Sequence, residues 1–94
     1  MMKFEWDSAK ARTNLAKHDI AFDVAEEVRA DPLHIILPDR FERGEQRWHA
    51  IGVVGAVTVL VVAHVYPSAR DETLVRIIGA RKATRHERRL YEEG

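Results

Sequence analysis

The spacing of apolar positions changes along the chain, and the changes divide it into elements. From Ser8 to about His18 the residues are good helix formers without proline or glycine. Their apolar face is thin, made of Ala11 and Leu15 flanked by Trp6 and Ala9. Asp7 is placed to cap this helix at its start. Asp19 is placed to end it, because aspartate tolerates left-handed backbone angles. Ala21, Val24, Ala25 and Val28 then recur at helical spacing and predict a second helix from about Phe22 to Ala30, with Asp23, Glu26 and Glu27 mostly on its other side. Asp31-Pro32 stops it, since proline drives the preceding residue out of the helical region.

Beyond Pro32 the pattern becomes that of strands. Leu33 to Leu37 reads as the first, and Pro38 to Gly44 as a charged turn. Two β-branched runs follow, Gln46 to Val54 and Val57 to Tyr66, around Gly55-Ala56, where glycine in the first central position suits a type II′ turn. Pro67 to Glu72 is a loop and Thr73 to Ala80 a fourth strand. A last helix starts at Thr84, a capping residue with Glu87 in the capping-box position. The order predicts an α+β fold of two layers, with two N-terminal helices, a four-stranded mainly antiparallel sheet and a C-terminal helix, in one domain over residues 1–94.

A two-residue turn at Gly55-Ala56 sets a register in which Val54 faces Val57, His49 faces Val62 and Arg47 faces His64. One face then carries Arg47, His49, Ile51, Val53, Thr58, Leu60, Val62, His64 and Tyr66. Its polar members gather at the open end: an arginine for phosphate, histidines for protons and a tyrosine for hydrogen bonding or stacking. The opposite face, from Trp48 and Ala50 to Ala63 and Val65, is nearly all apolar and is the expected core. A slip of one residue would exchange the faces of one strand.

Composition narrows the chemistry. There are 15 basic and 15 acidic residues, so net charge points to no partner and any nucleic-acid signal has to be local. The local signal is Arg81, Lys82, Arg85, Arg88 and Arg89, with Glu87 as the one acid among them. Arg85, Arg88 and Arg89 share a helix face on adjacent turns, and arginine grips phosphate with two parallel donors. Arg76 sits in the apolar run Leu74–Ile78 and needs a carboxylate, a phosphate or solvent beside it. The chain has no cysteine, which removes disulfides and thiolate metal sites. No H-x-x-x-H or D-x-D spacing appears, and neither a metal nor a cofactor is expected. Residues 1–7 do not read as a signal peptide, and the longest apolar stretch, Ile51–Val65, is too short and too interrupted for a membrane span.

Taken in order, several pieces resemble one family. Phe4-Glu5-Trp6-Asp7, Lys10, Asn14 and Lys17-His18 are similar to the opening F-x-W-D-x-x-K-x-x-x-N-x-x-K-H-G of BrnT-like toxins. Phe22 and Ala25 fit its second helix, and Glu45-Gln46-Arg47 with Ile51-Gly52 resembles its E-x-R strand. Arg76-Ile77-Ile78-Gly79-Ala80-Arg81 resembles R-I-I-S-A-R, and Glu87-Arg88 with Tyr91 resembles the E-R and Y of the last helix. Asp19 stands where the family usually has glycine, Ala21 where serine or threonine is common, and Gly79 where serine is usual. The resemblance implies a RelE-like fold, a cytoplasmic RNA-cleaving toxin and a cognate antitoxin with a DNA-binding domain. It further implies a heterotetramer of the two, through which alone operator DNA would be bound.

On this resemblance the expected reaction is metal-free attack of a ribose 2′-hydroxyl on the adjacent phosphorus. Arg47, Arg76 and Arg81 are expected to meet phosphate and transition-state charge. His64 is the expected proton carrier, with Tyr66 assisting or stacking and Glu45 as a second candidate for the base. Lys82, Arg85, Arg88 and Arg89 would follow the RNA backbone. His18 is expected to satisfy carbonyls at its helix end. His49 and His86 are left without a role, and His34 is expected to be ordinary surface. The alternatives are a non-catalytic RNA- or protein-binding module with the same basic surface, and a structural subunit whose apolar patch another chain covers. A DNA reader fits less well, as no helix-turn-helix pattern is visible.

Overall fold

The computed structural model describes residues 1–94. The first helix, α1 (Ser8–His18), forms as its sequence predicts: Asp7 accepts from the Ala9 and Lys10 amides at one end, and Asp19 takes φ 59° at the other. The second predicted helix is split. Phe22–Ala25 is α-helical (α2), and Glu26–Ala30 tightens into a 3-10 turn that Asp31 ends. The capping box at Thr84 and Glu87 is present and opens α3 (Arg85–Glu93).

The sheet has five strands rather than four. Lys3–Glu5 forms β1, followed by β2 (Ile35–Glu42), β3 (Glu45–Val54), β4 (Thr58–Val65) and β5 (Leu74–Lys82), in spatial order β1-β5-β4-β3-β2. β1 runs parallel to β5, and the other pairs are antiparallel. Three residues at a chain start are too few to show a period, which is why β1 is invisible in the sequence. β2 absorbs most of the predicted charged turn, because Arg43 and Gly44 alone make the hairpin, both with positive φ.

The register of the central hairpin is the main correction. Its loop has three residues, Gly55-Ala56-Val57, so Val54 faces Thr58, Ala50 faces Val62 and Trp48 faces His64. Relative to the expected pairing β4 has slipped by one, and its side chains have exchanged faces. Leu60, Val62 and His64 now share a face with Trp48 and Ala50, while Val59, Val61, Ala63 and Val65 share one with Arg47, His49 and Ile51.

The first of these faces is the main core. Ala50, Leu60, Val62, Val75, Ile77 and Ala80 pack there against Ile20, Phe22, Ala25 and Val28. Gly52 permits the closest approach: a Cβ there would lie 3.0 Å from the Val28 carbonyl oxygen and 3.1 Å from the Val28 side chain. On the second face a smaller cluster of Ile51, Val59 and Val61 lies with Ala83 and Tyr91, at the end that α3 covers. Asp31 ties this end together, accepting from the Val53 and Leu33 amides and, at 2.6 Å, from the Tyr91 hydroxyl. Beyond α3 that face is open.

α1 reaches the sheet through one buried polar residue. β1 pairs with β5 only from Leu74 to Arg76, which leaves the rest of that edge without a neighbouring strand. Asn14 fills the gap: its amide oxygen accepts from the Ala80 N–H at 3.0 Å, and its amide nitrogen donates to the Ala80 and Ile20 carbonyls at 2.9 and 3.0 Å. Asn14→Asp keeps the acceptor but sets a carboxylate oxygen against two carbonyls. It is expected to lower unfolding free energy by about 2–4 kcal/mol, read from urea denaturation, with α1 amides losing hydrogen-exchange protection first.

Candidate active site

Strand alternation by itself would put Arg76 and Arg81 on opposite faces, because they are five residues apart. A bulge prevents this. Ala63 faces Gly79 and His64 faces Ile77, so Ile78 is an extra residue in β5 and the alternation resets there. Val65 then faces Arg76 and Val61 faces Arg81, on the same face as Arg47 and His49. A second bulge between Pro38 and Phe41 sets Asp39 and Arg40 of β2 against the single residue Arg47.

These offsets build a cleft of about 530 Å³ on the open half of the second face. Arg47, Arg40 and Gly79 line it from the sheet, and Lys10, Thr13, Asn14, Lys17 and His18 from α1. An adjoining hollow of about 160 Å³ is lined by His49, Ala63, Gly79, Arg81 and His18. Its floor is low: a Cβ on Gly79 would meet nothing nearer than the Asn14 amide oxygen at 3.7 Å, so the floor has room for a larger side chain.

The sheet cations each have a resident carboxylate. Arg76 Nε holds Glu5 at 2.7 Å, Arg47 approaches Glu42 at 3.6 Å, and His49 Nε2 lies 3.3 Å from Asp39 Oδ2. Arg81 is gripped hardest, with both terminal nitrogens donating to Glu87 at 2.7 and 2.8 Å. That fork holds the Glu87 carboxyl down to about 2 from its ordinary 4.5 and raises Arg81 further. Lys10 and Lys17 of α1 are exposed and form no ion pair, so they bring the uncompensated positive charge.

The structure therefore unites Arg47, Arg76 and Arg81 on one face and parts them from His64 and Tyr66. His64 faces the helix-covered core with no exposed surface, between the Val62 carbonyl, the Tyr66 hydroxyl at 3.3 Å and Arg29 at 3.5 Å. Arg29 also donates to Tyr66. Glu45 is exposed at the start of β3, paired with Glu42 across the turn. Lys82, Arg85, Arg88 and Arg89 are exposed on or just before α3, with Lys82 and Arg88 beside the Val57 hairpin loop, outside the cleft. Lys10, Lys17, Arg40 and the histidines His18 and His49 are site residues that the apolar period does not reveal. A signal existed: Lys10, Thr13, Asn14 and Lys17 stand at i, i+3, i+4 and i+7, a polar stripe with the spacing of a helix face. No group of three His, Asp and Glu side chains is placed to hold a metal ion.

The fold is shared with the crystal structure of the Brucella abortus ribonuclease toxin BrnT. That structure matches at a TM-score of 0.69 and 24% identity, over 90% of this chain and 100% of that one. A family model described as "Ribonuclease toxin, BrnT, of type II toxin-antitoxin system" matches residues 6–87. The chain is thus one of the ribonuclease toxins of type II toxin–antitoxin systems, a class defined by pairing with an antitoxin. Within that class it belongs to the BrnT family. The search of curated proteins gave no match. No helix is long and apolar enough to cross a membrane.

The buried histidine gives a test of the core that lies beneath the cleft. Burial pushes His64 down from 6.5 to about 4, and Arg29 acts in the same direction. Below pH 6.5 the unfolded chain binds a proton that the folded chain refuses, so stability falls from pH 6.5 towards 4 and levels off beneath it. The wild type is expected to lose on the order of 2 kcal/mol between pH 7 and 4.5. His64→Leu should flatten that slope in urea denaturation at the two pH values.

Proposed function

We propose that this toxin is a metal-independent endoribonuclease that cuts RNA by 2′-hydroxyl attack in the cleft between α1 and the open sheet face. The observation that carries the reading is that Arg47, Arg76 and Arg81 share that face, with Arg47 in the cleft opposite Lys10 and Lys17 of α1 and Arg81 in the hollow beside it. Fixed guanidinium groups meet the charge that builds on the phosphoryl oxygens, and the α1 lysines draw in the strand. Lys82, Arg85, Arg88 and Arg89 extend the positive surface beyond the cleft and would hold backbone phosphates further along. Tyr66 and His64, facing the core, serve it and not the reaction. RNA cleavage would arrest translation and growth. The toxin would be neutralised in the cytoplasm by an antitoxin with a DNA-binding domain, in a heterotetramer that binds operator DNA through the antitoxin.

Two observations favour the second reading, a binding module without catalysis. Glu87 occupies both terminal nitrogens of Arg81, and Gly79 offers no hydroxyl on the cleft floor. The readings part in one experiment. Purified chain is incubated with labelled single-stranded RNA in EDTA, beside Arg47→Ala and Arg76→Ala. The wild type should yield ends bearing 2′,3′-cyclic phosphate, and Arg47→Ala should cut about 100-fold or more slowly while keeping its fold. Arg76→Ala, which also frees Glu5, should lose activity as well. Binding without products, both in free RNA and on translating ribosomes, would establish the binding module instead.

A further inference from the structure

We propose that His49, beside Asp39, is the general base of this cleft. The inference rests on the ribonuclease reading and supplies its proton acceptor. Three rows of side chains cross the open face. Arg47, Val65 and Arg76 form one, His49, Ala63 and Gly79 the next, and Ile51, Val61 and Arg81 the third. His49 therefore stands between the row that holds Arg47 and Arg76 and the row that holds Arg81. It is two residues from Arg47 along one strand, a separation of ~7 Å that places a phosphate held by the arginine within reach of the ring. Leu37 and Ala63 flank it on the neighbouring strands, so the ring is held by the sheet and not by a loop.

Asp39 fixes the chemistry of that ring. Two residues beyond Leu37, which faces His49, it lies on the same face of the sheet, and its Oδ2 lies 3.3 Å from Nε2. Neither ring nitrogen of His49 forms a hydrogen bond within the protein; a carboxylate on the Nε2 side favours the proton there and leaves the lone pair to Nδ1. The other charged or titratable groups around the ring are His18 of α1 and Arg81 of β5, which line the hollow with it, and Arg47 of its own strand. In the step, Nδ1 takes the 2′-hydroxyl proton as the O2′–P bond forms and the P–O5′ bond breaks. The 5′-oxygen takes a proton from water, and the hydroxide so formed is neutralised by the proton that His49 then releases. The products are a 2′,3′-cyclic phosphate and a 5′-hydroxyl, with no net gain or loss of protons.

His49→Gln and Asp39→Asn in the full chain test this with two substrates. One is single-stranded RNA. The other is the same RNA with sulfur in place of the 5′-bridging oxygen at the cut, whose thiolate leaves without an acid. His49→Gln should cut both substrates about 100-fold or more slowly, with RNA affinity within about twofold of the wild type. Asp39→Asn should cut more slowly through a lower kcat with KM unchanged, because the ring loses the carboxylate that sets its tautomer. A wild-type rate in folded His49→Gln, with Arg47→Ala still inactive, would overturn the assignment and leave the ribonuclease standing. A loss on the oxygen linkage that vanishes on the sulfur linkage would also overturn it, by making His49 the acid. A wild-type chain that cuts no RNA, free or on ribosomes, would remove the ribonuclease reading and this one together.

Discussion

The structure depends on a side-chain amide that behaves as a piece of strand. β1 is three residues long and leaves the further part of the β5 edge bare. An open edge with unpaired N–H and C=O groups invites another strand, and covering it with a helix ordinarily leaves those groups unsatisfied. Asn14 resolves the conflict by meeting both the donor and the acceptor of Ala80, while its second amide proton fixes the Ile20 carbonyl where the chain turns towards α2. One residue thus closes the sheet, anchors α1 beside it and sets the path into the core. The same anchoring holds the neighbouring helical positions, Lys10, Thr13 and Lys17, over the open sheet face. The wall of the cleft exists because a polar group is buried.

The floor of the cleft is the work of irregularities. A perfect alternation would scatter Arg76 and Arg81 to different faces and leave Asp39 and Arg40 pointing apart. One extra residue at Ile78 and one in the Asp39–Arg40 pair undo this and gather the charged groups on a single side. The opposite side stays uninterrupted and apolar enough to carry the core. The chain thereby assembles a polar site on a sheet whose strands read almost wholly as hydrophobic.

How much of this was legible in the sequence follows from which signals are local. Both ends of α1, the capping box of α3 and the stop at Asp31 were readable, because each is settled by a few neighbouring residues. The hairpin was harder. Gly55 announces a turn, but a turn of two residues and a turn of three look alike in sequence, and they assign β4 to opposite faces. That single count placed His64 and Tyr66 beside Arg47, whereas they face the helix-covered core on the other side of the sheet. β1 was missed because its only partner is 71 residues away, and the bulges because nothing in Ile78 or Asp39 marks them locally. The α1 side of the cleft was in view as a motif, Lys10, Asn14, Lys17 and His18, before the apolar periodicity could give it a place.

The pairing of charges explains how a chain with 15 basic and 15 acidic residues can still present a cationic cleft. Glu42, Glu5 and Glu87 neutralise the sheet arginines, but they do so to very different degrees. Glu42 stands 3.6 Å from Arg47, too far for a strong hydrogen bond, so a phosphate can take its place at little cost. Glu87 holds Arg81 in a two-point fork and is itself fastened by the α3 cap, so Arg81 gives up that partner last. The arginines form a graded set, with Arg47 open to exchange, Arg76 in a half-exposed pair and Arg81 fixed as part of the frame. An incoming strand would meet the free lysines of α1 first and Arg47 next, and it would find Arg81 already positioned by the helix that closes the other end of the face.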